Sequence, residues 1–322
     1  MRIGKVTGAM AAMLDGGAGA DEREPGAPAA PAAAEAGPPE TGGSSHRAAA
    51  AFERDAGDCV LDTQARLGRG SGCTVFKGRL RSRQAAAPQD AQVDIAVKVL
   101  TSRLEVESHT DDAATFLSDL RAEIRIGSML PEHANLPRFV GFCGAETPRP
   151  LVLWELIDGR NLWEVYKDRS TAGKSFRPRE TTGLAWCVQL FAALEVLHAH
   201  GLVHRDVKPT NIMLSADLAT LKLIDFGICK HIGVDGHDDA AARKMTPMTG
   251  SFRYMAPEVF RGAAYSFSVD VYSGAMVMAF ILSGGVGLAG IEGSAVAELA
   301  ERVNLRPSLV HVKGAEVRDR RS

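Results

Sequence analysis

This chain contains the run His204-Arg205-Asp206-Val207-Lys208-Pro209-Thr210-Asn211, and two short apolar segments separate it from Asp225-Phe226-Gly227. Moving a phosphoryl group from ATP to a hydroxyl requires an anionic group near the hydroxyl, oxygen ligands for Mg²⁺ and cations against the phosphates. Asp206 suits the first requirement and Lys208 part of the third. Asn211 and Asp225 suit the second, because Mg²⁺ prefers carboxylate and amide oxygens. The two runs together therefore predict a phosphoryl-transfer centre.

The two runs resemble the catalytic loop and the magnesium motif of the eukaryotic protein kinase family, position by position. The lysine two residues after Asp206 is typical of the serine/threonine branch. The resemblance implies that Asp206 positions the substrate hydroxyl and accepts its proton, while Lys208 binds phosphate. It also implies that Asn211 and Asp225 bind Mg²⁺, and that ATP is the phosphoryl donor.

Composition sets the broad class of the protein. The chain has 322 residues, 45% of them hydrophobic and 24% charged, which allows two ordinary domains or one two-lobed enzyme. The formal net charge of −2 gives no general attraction to nucleic acid or membranes, so neither is expected as a partner. The five cysteines are odd in number and lack CxxC spacing. They therefore favour reduced thiols in a cytoplasmic protein over a disulfide framework or a zinc site.

The first part of the chain differs from the rest. Residues 1–55 are rich in Ala, Gly and Pro and offer little to bury, so we predict a disordered tail. A transit peptide is the alternative, but acidic residues such as Asp21 and Glu22 do not fit its usual composition. The resemblance divides the remainder into a small lobe at 60–157 and a large lobe at 158–322.

A glycine-rich hairpin and a lysine-bearing strand are predicted in the small lobe. Gly68, Gly70 and Val75 fit the kinase glycine-loop pattern, which covers the phosphates of ATP, but Cys73 stands at the third glycine position. We expect Cys73 to be an inert small residue, with a redox switch as the alternative. Lys98 lies inside the apolar strand 93–100, and the resemblance implies that it binds the α- and β-phosphates.

The periodicity of Phe116 to Leu130 predicts a helix, and Glu123 falls where the family places the partner of Lys98. A solvated position for Glu123 is the alternative. Trp154 occupies the position that guards the back pocket behind adenine, and Gly127 stands where the family usually packs a bulky side chain against it. We therefore expect the two residues to compensate each other in volume.

The resemblance also implies an adenine site. Backbone groups of Glu155 and Ile157 would bind the base, and Val75, Ala96 and Met213 would sandwich it. These positions lie before, within and after the segment that joins the two predicted lobes.

The segment after Gly227 carries three possible phosphorylation sites, Thr246, Thr249 and Ser251. An activating kinase would modify Thr246 or Thr249, since Arg205 supplies the pairing charge. Ser251 takes the place of a threonine that the family bonds to Asp206 and Lys208, which implies a structural role.

The central helix of the large lobe is expected to start near Asp270, which would brace the backbone of the catalytic loop. Residues 271–291 are uncharged and long enough to suggest a membrane span, but Ser283-Gly284-Gly285 interrupts them, so a buried core helix is favoured. The two closing helices of the family, with an arginine partner for Glu258, are not recognisable, so we expect an incomplete large lobe.

The sequence thus predicts an α+β, two-lobed protein kinase fold and an ATP- and Mg²⁺-dependent enzyme that phosphorylates Ser/Thr hydroxyls of proteins. A pseudokinase or scaffold, which keeps the fold and acts by binding, is the alternative. The intact catalytic residues argue against that alternative, whereas Cys73, Gly127 and the unrecognisable closing helices argue for it.

Overall fold

The computed structural model describes residues 50–70, 72–81, 92–101, 111–168, 178–232, 253–260 and 266–285. Residues 1–49 of the predicted tail lie outside the described residues. Residues 50–55, by contrast, contact the small lobe: the amide of Arg54 donates to the carbonyl of Phe142 at 2.8 Å, and the amide of Phe142 donates to the carbonyl of Phe52 at 3.1 Å. The chain therefore joins the small lobe several residues earlier than the sequence predicts.

The small lobe is built on a five-stranded antiparallel sheet in the order β1-β2-β3-β5-β4. Its strands are β1 (Cys59–Arg69), β2 (Cys73–Arg81), β3 (Gln92–Leu100), β4 (Phe139–Cys143) and β5 (Leu151–Glu155). Because side chains alternate across a strand, β3 buries Ile95 and Val97 on one face and directs Lys98 to the other. This alternation puts a lysine on an otherwise apolar strand without burying it in the sheet core.

The helix α1 (Asp111–Met129) packs against β4 and β5. Its buried residues Leu120 and Ile124 lie one turn apart and face the core. Glu123 is buried with them at 1% exposure, so it is not the solvated residue that the alternative interpretation proposed.

In the described part of the large lobe, four further helices are combined with short strands. Strands β6 (Gly159–Asn161), β8 (Ile212–Ser215) and β9 (Leu221–Leu223) form one sheet in the order β6-β8-β9, and β7 (Leu202–Val203) pairs with β10 (Lys230–His231). The helices described in full are α2 (Leu162–Lys167), α3 (Glu180–Ala199) and α5 (Ser268–Leu282), with the short α4 (Pro257–Phe260) between the last two. The catalytic loop runs from β7 to β8.

Two apolar helices pack against each other in this lobe. Helix α3 is long and apolar enough to cross a membrane by length and composition alone. It packs against α5 and β9, however, and its buried Trp186 donates its indole N–H to the carbonyl of Leu218 at 2.9 Å. We interpret it as a core helix. Helix α5, the other membrane-span candidate, has 15 residues and buries Val277 and Phe280, which confirms the predicted core helix.

Candidate active site

The centre of the site is a lysine held by two carboxylates. The Nζ atom of Lys98 lies 2.7 Å from Oε2 of Glu123 on α1 and 2.7 Å from Oδ1 of Asp225. The positive charge of Lys98 lowers the pKa of Asp225 to about 2, against the opposing effect of burial. Burial raises the pKa of Glu123, and Lys98 opposes that shift. Burial alone would lower the pKa of Lys98, but Asp225 and Glu123 raise it above its ordinary value. The three side chains therefore form a compact charged cluster with the lysine protonated.

The catalytic loop carries a second cluster. Lys208 Nζ donates to Asp206 Oδ2 at 2.6 Å, and Asn211 Nδ2 donates to the same oxygen at 2.7 Å and to the carbonyl of Asp206 at 2.9 Å. Burial raises the pKa of Asp206, and the neighbouring Lys208 opposes the shift. The structure thus brings Asp206, Lys208 and Asn211 together, as their spacing predicts.

A buried carboxylate accepts hydrogen bonds from the backbone of this loop. Asp270 of α5 is fully buried and accepts hydrogen bonds from the amides of His204 and Arg205, both at 2.8 Å, and lies 2.9 Å from Nε2 of His198. Arg205 adopts a left-handed backbone with φ of 68°, which is uncommon for a side chain of this size. The predicted bracing of the loop by Asp270 is therefore confirmed.

Aromatic rings line the back of the site. Phe226 is fully buried and packs against Trp154, with ring centroids 5.2 Å apart, and against His204 at 5.5 Å. The indole N–H of Trp154 donates to Oε1 of Glu123 at 3.0 Å. Both oxygens of the Glu123 carboxylate are therefore bonded, one to Lys98 and one to Trp154.

The expected compensation between Trp154 and Gly127 needs correction. A Cβ atom on Gly127 would lie 2.4 Å from the ring of Phe139, so it is Phe139 of β4 that fills the space over the glycine. Trp154 packs on Phe139 in an edge-on arrangement, with centroids 4.9 Å apart. The space over Gly127 is therefore filled by Phe139, and Trp154 packs against that ring.

The glycine-rich hairpin forms as predicted from β1 and β2. Gly68 pairs with Val75, and the amide of Gly70 donates to the carbonyl of Cys73 at 2.8 Å. Burial raises the pKa of the Cys73 thiol to about 11, so the thiolate that a redox switch needs is strongly disfavoured. A Cβ atom on Gly72 would lie 2.2 Å from the ring of Phe116, so the turn of the hairpin packs against the start of α1.

The predicted adenine-site residues come from both lobes. Ala96 of β3 pairs with Trp154 of β5, Glu155 ends β5, Ile157 follows it, and Met213 lies on β8. The Glu155 side chain is bonded on both sides, because one oxygen pairs with Lys222 at 2.7 Å and the other accepts from the amide of Arg138 at 2.9 Å. Its backbone thus has a fixed position where the lobes join.

Parts of the predicted site lie outside the described residues. Thr246, Thr249 and Ser251 belong to this group, as do residues 286–322, where the arginine partner of Glu258 was expected. Within the described part of the chain, Glu258 accepts a hydrogen bond from Ser268 at 3.3 Å. The expectation of an incomplete large lobe stays a prediction.

Sequence reasoning missed one lobe-linking residue. Asn135, in the loop between α1 and β4, is buried and donates from Nδ2 to Gln189 at 2.9 Å and to the carbonyl of Leu221 at 2.8 Å. Its own carbonyl accepts from the amide of Leu223. The signal available was a single asparagine in a short loop, which names no partner by itself.

Comparison with known proteins decides the family. The model of the protein kinase domain matches residues 61–311, which is most of the chain. This chain belongs to the protein kinase family. Its α+β architecture, with an antiparallel sheet in one lobe and mainly helices in the other, is the two-lobed kinase fold.

The kinase domain is similar to several curated proteins. It is 34% identical over 176 residues to the serine/threonine-protein kinase VIK of Arabidopsis thaliana, which covers 54% of this chain and 38% of that relative. It is 31% identical to the dual specificity protein kinase shkA of Dictyostelium discoideum (68% and 36%) and 30% identical to human mitogen-activated protein kinase kinase kinase 7 (68% and 30%). The matched region thus spans about a third of the length of these relatives.

Proposed function

We propose that this protein is an ATP- and Mg²⁺-dependent kinase that phosphorylates serine and threonine hydroxyls of protein substrates. The observation that carries the proposal is the Lys98 cluster: one lysine contacts both the α1 carboxylate of Glu123 and the carboxylate of Asp225, within 2.7 Å of each. Lys98 thus provides a fixed positive charge for phosphate oxygens, and the neighbouring carboxylate of Asp225 is of the type that binds a metal ion.

The donor groups fit Mg²⁺. Asn211 uses its side-chain nitrogen on Asp206, which leaves the amide oxygen as the atom for a cation. Asp225 is ionised at neutral pH, because its pKa is about 2. We assign Asn211 and Asp225 as the residues that would hold Mg²⁺, which would supply positive charge against the phosphates.

The remaining roles follow from charge and position. Asp206 orients the substrate hydroxyl and receives its proton, because it is the carboxylate of the catalytic loop and is not assigned to the metal. Lys208, 2.6 Å from Asp206, neutralises charge on the transferred phosphoryl group, and Lys98 binds the phosphates that stay with the nucleotide. Only positioning and electrostatic stabilisation are needed from the protein for this reaction.

The nucleotide itself would lie under the glycine-rich hairpin. Gly68 and Gly70 bring backbone amides to the phosphates, since neither carries a Cβ. Val75 and Ala96 on one side and Met213 on the other would sandwich the adenine, and backbone groups of Glu155 and Ile157 would bind it. The fixed Glu155 side chain supports this placement.

Regulation and location belong to the proposal as well. An activating kinase phosphorylates Thr246 or Thr249, and the phosphate pairs with Arg205 next to the catalytic aspartate. Mass spectrometry of active protein with neither threonine modified would contradict this step. A cytoplasmic location is supported by the five cysteines, all of which are free thiols.

A transfer assay with labelled ATP and a generic basic protein as acceptor tests the proposed activity. Wild type should label serine and threonine, and Asp206→Asn and Lys98→Met should lose about 10²-fold or more, because each removes a group that acts in the transition state. Lys77→Met is the matched control, since Lys77 is a half-exposed lysine on the next strand that pairs with Asp94. If all four proteins label the acceptor equally, the activity belongs to a contaminant. If wild type binds Mg·ATP without transfer, the protein is a pseudokinase or scaffold.

A further inference from the structure

Glu123 is a buried carboxylate with two oxygens to satisfy. It is 1% exposed, and Lys98 bonds only Oε2. An oxygen of a buried carboxylate that lacks a hydrogen-bond donor is costly, because burial removes its water. The donor on Oε1 is the indole N–H of Trp154, at 3.0 Å, and both side chains are buried.

The indole has little freedom to move. Its ring lies between Phe139, with centroids 4.9 Å apart, and Phe226, at 5.2 Å. Trp154 also lies on β5 directly opposite Ala96 of β3, two residues before Lys98 on the same strand. The N–H donor therefore has a fixed position relative to both Lys98 and the run Asp225-Phe226-Gly227.

The hydrogen bond from Trp154 connects the sheet to helix α1 beside Lys98. Helix α1 has no side chain at Gly127, one turn after Glu123, and Phe139 fills the space there. Apolar packing of that kind resists separation but does not fix the rotation of a carboxylate. A hydrogen bond to Oε1 does fix it, and so directs Oε2 toward Lys98.

We propose that Trp154 is a positioning residue for phosphoryl transfer: its indole N–H holds the Glu123 carboxylate in the orientation that fixes Lys98. The role rests on the proposed kinase function. It goes further, because it assigns to one tryptophan a polar task beyond filling the back pocket.

Trp154→Phe tests the polar task, because phenylalanine keeps an aromatic ring next to Phe139 and removes the N–H donor together with part of the ring volume. Loss of one charge-assisted hydrogen bond should lower kcat/KM for ATP by about tenfold. We expect much of this loss as weaker binding of Mg·ATP, since Lys98 binds the phosphates that stay with the nucleotide. Trp163→Phe is the matched control: Trp163 is partly exposed and stacks on Phe280, away from Glu123.

A double-mutant cycle shows whether Trp154 acts through Glu123. The dissociation constant of Mg·ATP is measured for wild type, Trp154→Phe, Glu123→Ala and the double variant, with unfolding curves to verify that each is folded. The expected result is weaker binding on Trp154→Phe in the wild-type background and no further weakening in the Glu123→Ala background. Equal weakening in both backgrounds, or activity of Trp154→Phe within twofold of wild type, overturns the proposal.

The indole N–H can also be observed without any activity. The chain has three tryptophans, and the NMR signal of the Trp154 indole is identified by its loss in Trp154→Phe. Glu123→Ala should move this signal upfield, while that of Trp186, which donates to Leu218, stays in place. An unmoved Trp154 signal overturns the proposal even if wild type is an active kinase. A moved signal in a protein that transfers no phosphate refutes the kinase function instead and leaves the contact established.

Discussion

Replacing Asp270 by asparagine should weaken both the fold and the catalytic loop. Asp270 is fully buried, and its two oxygens accept the amides of His204 and Arg205, each at 2.8 Å, with His198 Nε2 a further 2.9 Å partner. Asparagine has nearly the same shape, so the change removes charge and one acceptor while leaving the packing intact. The effect therefore measures the polar contacts alone.

The magnitude follows from these contacts. Whichever way the new side-chain amide turns, its nitrogen faces a backbone N–H that was bonded, and a buried orphan donor costs about 1–3 kcal/mol. The bonds that remain are between neutral groups and are roughly half as strong. We expect a loss of about 2–4 kcal/mol in the free energy of unfolding, a large part of the total for a domain. Activity should fall about 10–100-fold, because Arg205, at φ of 68°, holds the neighbouring Asp206 in place.

Denaturant unfolding and the transfer assay check this prediction together. Asp62→Asn is the control, since Asp62 also accepts two backbone amides, from Gln64 at 3.0 Å and Ala65 at 3.2 Å, but is exposed. Its substitution should change the free energy of unfolding by about 0.5 kcal/mol or less. If Asp270→Asn is as stable and as active as Asp62→Asn, the buried carboxylate does not brace the loop and the reasoning fails.

Two further predictions concern the small lobe. Gly127→Ala should destabilise the protein by about 1 kcal/mol in denaturant unfolding, because overpacking against the Phe139 ring, 2.4 Å from the new Cβ, exceeds the gain in helix propensity. In a Phe139→Leu background the same change should be neutral or stabilising; equal destabilisation in both backgrounds would show that Phe139 is not the obstacle. Cys73, with a pKa of about 11, should alkylate slowly at pH 8 and about tenfold faster at pH 9, since the thiolate fraction rises with pH below the pKa. Peptide-resolved mass spectrometry measures both rates, and fast alkylation that does not depend on pH would contradict the burial argument.

The catalytic groups could be predicted because their chemistry restricts residue type and spacing. Asp206, Lys208 and Asn211 lie within six residues of one another, so a local turn is enough to bring them together. Lys98 and Glu123 are 25 residues apart. Glu123 was assigned from its place in the family pattern, but Lys98 was also marked by a cost, because a lysine in an apolar strand needs a partner. The cost of burying a charge thus predicts from the sequence alone that the side chain has a partner.

The partners in other contacts cannot be assigned from the sequence. The N–H of a buried tryptophan usually needs an acceptor, but that the acceptor of Trp154 is Glu123 depends on how far β5 lies from α1. The space over Gly127 was assigned to Trp154 because the family pattern pairs those positions. That Phe139 fills this space instead depends on how closely β4 approaches α1, which the periodicity of the sequence does not show.

In the small lobe, a connected set of aromatic rings therefore takes the place of the side chain that is missing at Gly127. The missing side chain at Gly127 lets Phe139 approach α1, and the position of Phe139 leaves room for a bicyclic ring at Trp154. That ring is large enough to reach Phe226 and also to place an N–H on Glu123. Phe52, from the segment before β1, packs on the outer side of Phe139 at 5.3 Å and extends the set to the edge of the sheet. Because each ring is positioned by the next, changes within the set should be non-additive, and a substitution at one member is best tolerated when its neighbour changes in volume with it.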